Sequence, residues 1–238
     1  MTTSICATLR ATTTGSIHSK QMTATLKHLH FSRVVSLSFS TRNECFISAS
    51  LDRTVMLWDQ RADKCQGLLH VQARPAAAYD DQGLVFAIAF GGLIRMFDSR
   101  KYEKGPFEIF SVGGDVSDAN VVKFSSDGRL MLLTTADGNV HVLDSFRGTT
   151  ISTNKVTAVS SNSILEASFS PDGAFVVSGS GDGSVHAFNV RSGKEVICWK
   201  TYETEPHVIS WAFGSLMFVT ASSELSFWIP DLSKISRK

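Results

Sequence analysis

One stretch of this chain is repeated along its length and limits what the chain can fold into. Residues 48–59 combine a strand ending in small residues, a tight turn holding an Asp, and a second strand closing on Trp-Asp. Residues 134–144 and 178–189 repeat this pattern, and residues 93–98 and 225–230 keep the second strand without the Asp. Repeats of this kind predict stacked units that pack on their neighbours, not independent domains.

Two independent spacings give the length of the repeat. The closing apolar residues lie 39, 46, 45 and 40 positions apart and are Trp58, Phe97, Leu143, Phe188 and Trp228. Each copy follows an apolar strand ending in an aromatic residue, at steps of 40, 45, 45 and 44: Phe39, Tyr79, Phe124, Phe169 and Phe213. A period of about 40–45 residues built from short strands is typical of WD-type propeller blades. The sequence therefore predicts an all-β WD-repeat β-propeller with about five recognisable four-stranded blades.

The limits of the array follow from where the repeat stops. Residues 1–21 are rich in Thr and Ser and hold few large apolar groups, so an irregular or disordered segment is expected there. Residues 22–232 are assigned to the blades, and residues 233–238 form a short basic tail. Blade five lacks an obvious fourth strand, and only residues 22–30 are available to complete it. An unclosed ring would leave strand edges exposed.

Polar residues at fixed places in the repeat are expected to hold the blade loops. In WD blades a His before the first strand forms hydrogen bonds with a Ser or Thr, the turn Asp and the Trp. The candidates are His30, Ser48, Asp52 and Trp58 in the first complete blade and the turn residues Asp137 and Asp182 in later blades. Such a network would satisfy polar groups that are otherwise buried without partners.

The sequence predicts no catalytic, cofactor-binding or metal site. His28 and His30 would be a metal pair only with companion ligands, which their surroundings lack. The glycines of residues 179–183 precede a strand, so they lack the helix dipole that a phosphate needs. His141 and His186 occupy the same repeat position, where other blades have unrelated residues, and this tolerance indicates a structural slot.

The charge balance, the apolar runs and the cysteines limit which partners and which cellular compartment are expected. The chain has 23 basic and 22 acidic residues, so neither a nucleic acid nor an anionic membrane surface is an expected partner. Apolar runs stay short of the roughly 20 residues that span a bilayer, and a secretory signal is not expected. The cysteines form no C-x-x-C pair, and we expect small buried apolar residues in a reducing compartment. They are Cys6, Cys45, Cys65 and Cys198.

Several runs outside the generic repeat resemble one family. They are residues 65–72, 79–83, 83–87, 103–107, 165–169 and 227–230. These runs resemble the Swd-type WD-repeat subunit of COMPASS histone methyltransferase complexes, and residues 79–83 resemble its plant branch. The likeness extends over residues 33–234, whereas residues 1–27 do not resemble the family.

The resemblance implies a nuclear scaffold without catalysis of its own. Family members belong to complexes that methylate lysine four of the third core histone, and plant members promote flowering. The implied partners are protein subunits of such a complex and, for some members, the phosphorylated tail of RNA polymerase II. The family's ring has seven blades, so five visible blades indicate an N-terminally shortened form whose ring is incomplete or open.

Other functions stay open beside this one. The resemblance also allows an adaptor in RNA 3′-end processing, termination or phosphatase complexes, or a truncated form that is non-functional or competes with the longer protein. A propeller hydrolase or lyase would need acidic, Arg or His side chains that converge from several blades on the channel. Asp52, Asp137 and Asp182 repeat, but at the turn position that the blade itself requires. The sequence therefore favours a protein that is not an enzyme.

Overall fold

The computed structural model describes residues 30–62, 64–160, 163–204, 206, 208–212, 215 and 217–229. These residues form five antiparallel sheets that follow one another along the chain, as in a propeller. The predicted irregular segment 1–21, most of the candidate strand 22–30 and the basic tail 233–238 lie outside the described residues.

The sheets have a simple up-and-down order. Blade one contains β1 (Val34–Phe39), β2 (Cys45–Ser50), β3 (Thr54–Asp59) and β4 (Gly67–His70). Blade two contains β5 (Ala76–Tyr79), β6 (Val85–Phe90), β7 (Leu93–Asp98) and β8 (Glu108–Ser111), with a 3-10 turn at Tyr102–Lys104. Blade three contains β9 (Ala119–Phe124), β10 (Leu130–Thr135), β11 (Asn139–Asp144) and β12 (Thr150–Lys155). Blade four contains β13 (Ala167–Phe169), β14 (Phe175–Gly179), β15 (Ser184–Asn189) and β16 (Glu195–Lys200). Blade five contains β17 (Val208–Trp211), β18 (Phe218–Ala221) and β19 (Leu225–Trp228) in the described part of the chain.

In blades three and four, the first and second strands are joined by an Asp-Gly turn. In blade three the Ser125 hydroxyl donates to Asp127 Oδ1 at 2.6 Å, and the backbone N–H of Gly128 donates to the Ser125 carbonyl at 2.9 Å. Gly128 has φ +69°, a conformation that glycine adopts without steric cost. Ser170 and Asp172 repeat the side-chain hydrogen bond in blade four at 2.5 Å.

A hydrophobic core lies between each pair of neighbouring sheets. Its fully buried members include Ile47, Phe86 and Ile88 between blades one and two, Ile94, Met131 and Leu143 between two and three, Leu132, Leu165 and Val176 between three and four, and Val177, Val185 and Ile209 between four and five. Each such side chain contributes about 1.5–3 kcal/mol through burial. The blades are therefore stabilised by their neighbours, as expected for a repeat array.

Hydrogen bonds between first strands fix the blades against one another. The Ser36 hydroxyl of β1 donates to the Ala77 carbonyl of β5 at 2.9 Å. Further along, Lys123 Nζ of β9 donates to the Ala167 carbonyl of β13 at 2.9 Å and pairs with the Glu166 carboxylate. These contacts set the relative height of adjacent blades.

The predicted all-β WD-repeat propeller is confirmed. Within the apolar run of residues 165–169, only Ala167–Phe169 forms the first strand of blade four. Leu165 is buried, but its carbonyl accepts a hydrogen bond from the Thr134 hydroxyl of blade three at 2.7 Å instead of pairing within its own sheet. Within the described ranges, no helix has the length and apolarity needed to cross a membrane.

Candidate functional site

A chain of hydrogen bonds ties the loop before β1 to blade one. The ring nitrogens of His30 lie 2.8 Å from Ser48 Oγ and 2.9 Å from Thr54 Oγ1. Trp58 Nε1 donates to the same Ser48 Oγ at 2.8 Å, and the Thr54 hydroxyl donates to Asp52 Oδ1 at 2.5 Å. The structure thus brings the four residues singled out in blade one together. Thr54 is a fifth member that the sequence did not indicate.

The donor and acceptor of each hydrogen bond in this network follow from its two terminal groups, a carboxylate that only accepts and an indole N–H that only donates. Asp52 is an acceptor, so the Thr54 hydroxyl gives it its hydrogen and must accept from Nδ1–H of His30. A neutral imidazole then offers Nε2 as an acceptor to the Ser48 hydroxyl, whose oxygen accepts from the Trp58 indole. Each side-chain polar group in this hydrogen-bond network therefore has a partner. A polar network can be buried without a large free-energy penalty only when this condition is met.

The electrostatics of blade one agree with this protonation pattern. Burial alone would raise the pKa of Asp52, but hydrogen bonds from Thr54 and from the backbone N–H of Phe31 outweigh it and lower the pKa. Burial lowers the pKa of His30 in spite of the nearby Asp52 charge, so the ring is neutral at neutral pH. The ionised Asp52 therefore holds both the turn and the incoming loop.

Blade three anchors its loop with a different carboxylate. Asp115 lies four residues before β9, as His30 lies four residues before β1. Asp115 Oδ2 accepts from His141 Nε2 at 2.8 Å and from Asn139 Nδ2 at 2.7 Å, while the Ser117 hydroxyl lies 2.5 Å from Oδ1. The predicted turn residue Asp137 contacts this network through the Ser117 hydroxyl, which lies 2.7 Å from Asp137 Oδ2. Sequence reasoning missed Asp115, because the repeat places a His, not a carboxylate, at that position.

Blades four and five use simpler versions of the same device. In blade four, Asp182 Oδ1 accepts from the backbone N–H of Ser184 at 2.9 Å, which closes the predicted turn. In blade five, Thr220 Oγ1 accepts from Trp228 Nε1 at 2.8 Å and lies 2.7 Å from the hydroxyl of Tyr202. The Tyr202 hydroxyl also donates to the Thr220 carbonyl at 2.9 Å. Tyr202 and Thr220 are buried members that the sequence did not reveal.

The anchored loops form one rim of the blades. Because strands alternate in direction, the loop before each first strand and the turn between the second and third strands lie at the same end. Phe31 follows the anchored His30 and is 99% exposed, and Val116 follows the anchored Asp115 and is 79% exposed. We call these loops, residues 30–33 and 112–118 with the intervening 71–75, the loop rim. Its apolar side chains are presented on a backbone that is already held in place.

The loop rim also carries a guanidinium with unused donors. Nε and Nη2 of Arg74 are buried and have no hydrogen-bond partner among the described residues. Burial and the charge of Arg33 lower the pKa of Arg74, whereas the charge of Asp118 raises it. Arginine stays protonated at neutral pH despite such a shift. A guanidinium can bind a carboxylate or phosphate in a bidentate manner, but Nε and Nη2 of Arg74 lie below the surface in this structure.

One group of possible metal ligands lies away from the loop rim. His186, Glu195 and Cys198 meet on β15 and β16 of blade four. Cys198 is exposed, so the expectation that it is a small buried apolar residue is wrong. Cys45 and Cys65 are partly buried, and Cys6 lies outside the described residues.

Comparison with known proteins agrees with this architecture. A family model described as WD domain, G-beta repeat matches residues 20–59 and 145–189. Protein ANTHESIS POMOTING FACTOR 1 of Arabidopsis thaliana is 51% identical over 203 residues, which cover 85% of this chain and 61% of that protein. COMPASS component SWD2 of Saccharomyces cerevisiae is 30% identical over 217 residues, covering 85% of this chain and 66% of that protein. This chain is a Swd2-like member of the WD-repeat family.

A further relative of the Swd2-like chain has similar coverage. WD repeat-containing protein 82 of Drosophila melanogaster is 37% identical over 204 residues, which cover 84% of this chain and 64% of that protein. The chain therefore spans less than two thirds of the length of the first curated relatives it matches. WD-repeat proteins are typically non-catalytic scaffolds, and rigid loops on a propeller rim suit that role.

Proposed function

We propose that this chain is a non-catalytic scaffold subunit of a nuclear, COMPASS-like histone lysine methyltransferase complex. The observation that carries the proposal is the likeness, over 85% of the chain, to a yeast protein named as a COMPASS component. The yeast Set1 complex component swd2 of Schizosaccharomyces pombe, 39% identical over 126 residues, supports the same assignment. The partners would be protein subunits of the complex, and the compartment would be the nucleus.

The loop rim supplies a physical basis for docking such partners. Phe31 and Val116 sit at the same place in two blades, each next to a residue held by hydrogen bonds. An apolar side chain on a rigid loop loses little conformational entropy when a partner covers it. These two residues are the first contacts that we assign to a protein partner.

Purification of the chain from nuclei tests the proposal. The tagged full chain is expected to recover methyltransferase subunits, and Phe31→Ser with Val116→Ser should reduce their yield by roughly tenfold. The matched control is Phe146→Ser, because Phe146 is 76% exposed at the opposite end of blade three and should leave the yield unchanged. Absence of methyltransferase subunits with the unaltered chain would contradict the assignment.

A second experiment addresses the absence of catalysis. The purified chain alone should transfer no methyl group from S-adenosylmethionine to a histone peptide, whereas the complex recovered with it should do so. Methyl transfer by the chain alone, in proportion to its concentration, would overturn the scaffold proposal.

A specific observation also favours an acidic or phosphorylated partner segment at the loop rim. The guanidinium of Arg74 lies in the loop rim near the charge of Arg33, and this local positive charge suits the phosphorylated tail of RNA polymerase II. Arg74→Gln should weaken binding of a phosphorylated tail peptide by roughly tenfold in fluorescence anisotropy. Arg129→Gln is the control, because Arg129 is largely exposed at the opposite end of blade three. Equal losses in the two variants would point to general charge attraction instead of a site.

We extend the proposal to flowering control in plants. Its support is the name of the Arabidopsis relative, which refers to anthesis, together with 51% identity over 85% of this chain. Expression of this chain in an Arabidopsis line that lacks that relative is expected to restore flowering time. Failure to do so at normal protein levels would separate this chain from the relative's role.

A further inference from the structure

Blade four brings together three side chains of types that can bind a metal, although they are separated along the sequence. His186 on β15 and Cys198 on β16 are direct partners in the strand register, and Cys198 Sγ lies 3.8 Å from His186 Nε2. Glu195 Oε2 lies 3.1 Å from His186 Nδ1. One ligand atom from each of the three residues lies within 4.8 Å of those from the other two.

Blade three shows what the same position does when it is purely structural. His141 is the counterpart of His186, and its register partner Thr153 is the counterpart of Cys198. The His141 nitrogens lie 2.9 Å from the Thr153 hydroxyl and 2.8 Å from Asp115, and its side chain is 5% exposed. Blade four replaces the hydroxyl by a thiol and adds a carboxylate that is 47% exposed. The exchange converts a closed polar network into an open set of nitrogen, sulfur and oxygen donors.

We propose that His186, Glu195 and Cys198 bind one zinc ion. Zinc prefers this mixture of imidazole, thiolate and carboxylate ligands. Tetrahedral zinc with bonds of about 2.3 Å to sulfur and about 2.0 Å to nitrogen separates those two ligand atoms by roughly 3.6 Å. The observed separation of 3.8 Å between Cys198 Sγ and His186 Nε2 requires little adjustment.

The neighbouring groups favour a cation at this place. The His186 ring is stacked on Phe188 with 5.9 Å between centroids, which limits its reorientation. Glu195 is exposed, so its carboxylate is free to turn from Nδ1 toward the shared ion. The negative charges of Glu195 and Asp182 act on the Cys198 side chain and favour a cation beside it. Zinc binding would form the thiolate and release the thiol proton to solvent.

The zinc ion would join the last two strands of blade four. β16 is an outer strand whose residues are mostly exposed, so its attachment depends on the ladder with β15. A bridge between His186 and Cys198 would add a side-chain link across that ladder. This role goes beyond the proposed scaffold function and does not depend on it.

Cobalt titration of the full chain tests the site, because cobalt(II) replaces zinc and reports thiolate ligation by a charge-transfer band. The metal-free chain is expected to develop this band at one equivalent and to lose it when zinc is added. Cys198→Ser should abolish the band, and His186→Ala should weaken cobalt binding by roughly tenfold or more. The matched controls Cys45→Ser and His141→Ala should keep the band. A band that is absent from the unaltered chain, or that survives Cys198→Ser, would overturn the proposal.

A second measurement is independent of whether each variant is fully stable. Zinc should slow alkylation of Cys198 in the unaltered chain, as followed by mass spectrometry of the peptide that contains it, and leave the rate at Cys45 unchanged. The protection should be lost in Glu195→Gln, whose circular dichroism can be matched to the unaltered chain. Equal alkylation of Cys198 with and without saturating zinc would refute metal binding there.

Discussion

Asp115 accepts a hydrogen bond from Nε2 of His141 at 2.8 Å, although the two residues lie 26 positions apart. In blade one the loop supplies the imidazole of His30 and the turn supplies the carboxylate of Asp52. In blade three the loop supplies the carboxylate and the third strand supplies the imidazole. The imidazole and the carboxylate therefore come from opposite sides of the contact in the two blades. In both blades the contact fastens the loop before the first strand to its own sheet.

The Asp115 carboxylate should make the stability of blade three depend on pH. Burial alone would raise its pKa, but hydrogen bonds from Ser117, His141 and Asn139 lower it well below the usual value. A lowered carboxyl pKa stabilises the folded state above the unfolded value of about 3.9, and this stabilisation is lost as the pH falls toward the folded pKa. Between pH 7 and pH 3 the urea midpoint of the unaltered chain should therefore fall.

Asp115→Asn isolates this contribution. The variant should be less stable at pH 7 by about 1–3 kcal/mol and should lose less of its remaining stability on acidification. Asp81→Asn serves as the control, because Asp81 is exposed and its variant should follow the unaltered chain throughout. If Asp115→Asn and the unaltered chain lose equal free energy between pH 7 and pH 3, the carboxylate is not the group responsible.

Asp52→Ala tests the network of blade one. The substitution removes the acceptor of the Thr54 hydroxyl and of the Phe31 backbone N–H, which orphans donors next to buried His30. We expect a loss of about 1–3 kcal/mol in the free energy of unfolding. Urea unfolding measures it against Asp81→Ala, whose loss should stay within about 0.5 kcal/mol. An unchanged melting temperature for Asp52→Ala would count against a structural role for the network.

The regular part of this fold could be predicted from the sequence for a physical reason. Alternating apolar residues, Asp-Gly turns and a constant period act locally, so each strand pair is encoded within a few residues of itself. The same local repeat marks His30, Ser48, Asp52 and Trp58, which the structure brings into one hydrogen-bonded chain. Positions that repeat from blade to blade can be predicted from the sequence because equivalent positions pack against equivalent neighbours.

The remaining anchors were not predictable because they replace one donor or acceptor by another. Asp115 occupies the position where the repeat normally has a His. In blade five, Tyr202 anchors the preceding loop by a hydrogen bond of its hydroxyl with Thr220. Leu165 is apolar and adjoins β13, but its carbonyl accepts a hydrogen bond from Thr134 of the neighbouring blade and does not extend the strand. Glu195 and Cys198 meet His186 only through the register of β15 and β16, which spacing along the chain does not reveal.

Thr220→Val tests the anchor of blade five. Valine keeps the volume of the buried threonine but leaves Trp228 Nε1 without an acceptor and removes one partner of the Tyr202 hydroxyl. The expected cost is about 1–3 kcal/mol, and amide hydrogen exchange should quicken first in β18. Thr204→Val is the control, because the hydrogen bond of Thr204 to Ser222 is exposed and contributes little. Equal exchange rates in the two variants would show that the buried hydroxyl is dispensable.

Gly92 links the turn of blade two to the Asp115 loop of blade three. It has φ +79°, and a Cβ at this position would overlap the carbonyl oxygen of Asp115. Gly128 has φ +69° with open space around the same position, so Gly128→Ala measures the backbone strain alone, about 1–2 kcal/mol. Gly92→Ala should cost about 1–3 kcal/mol more, because the Asp115 backbone must move to admit the methyl group.

A double-mutant cycle between Gly92→Ala and Asp115→Asn then measures how firmly the loop is anchored. Displacing the Asp115 backbone should already weaken its hydrogen bond to His141, so the two losses in free energy of unfolding should sum to more than the loss in the double variant. The cycle of Gly128→Ala with Asp115→Asn should be additive, because Gly128 has no contact with this loop. Additive losses in both cycles would mean that the loop shifts without disturbing the carboxylate, and that its hydrogen bonds do not hold it rigidly.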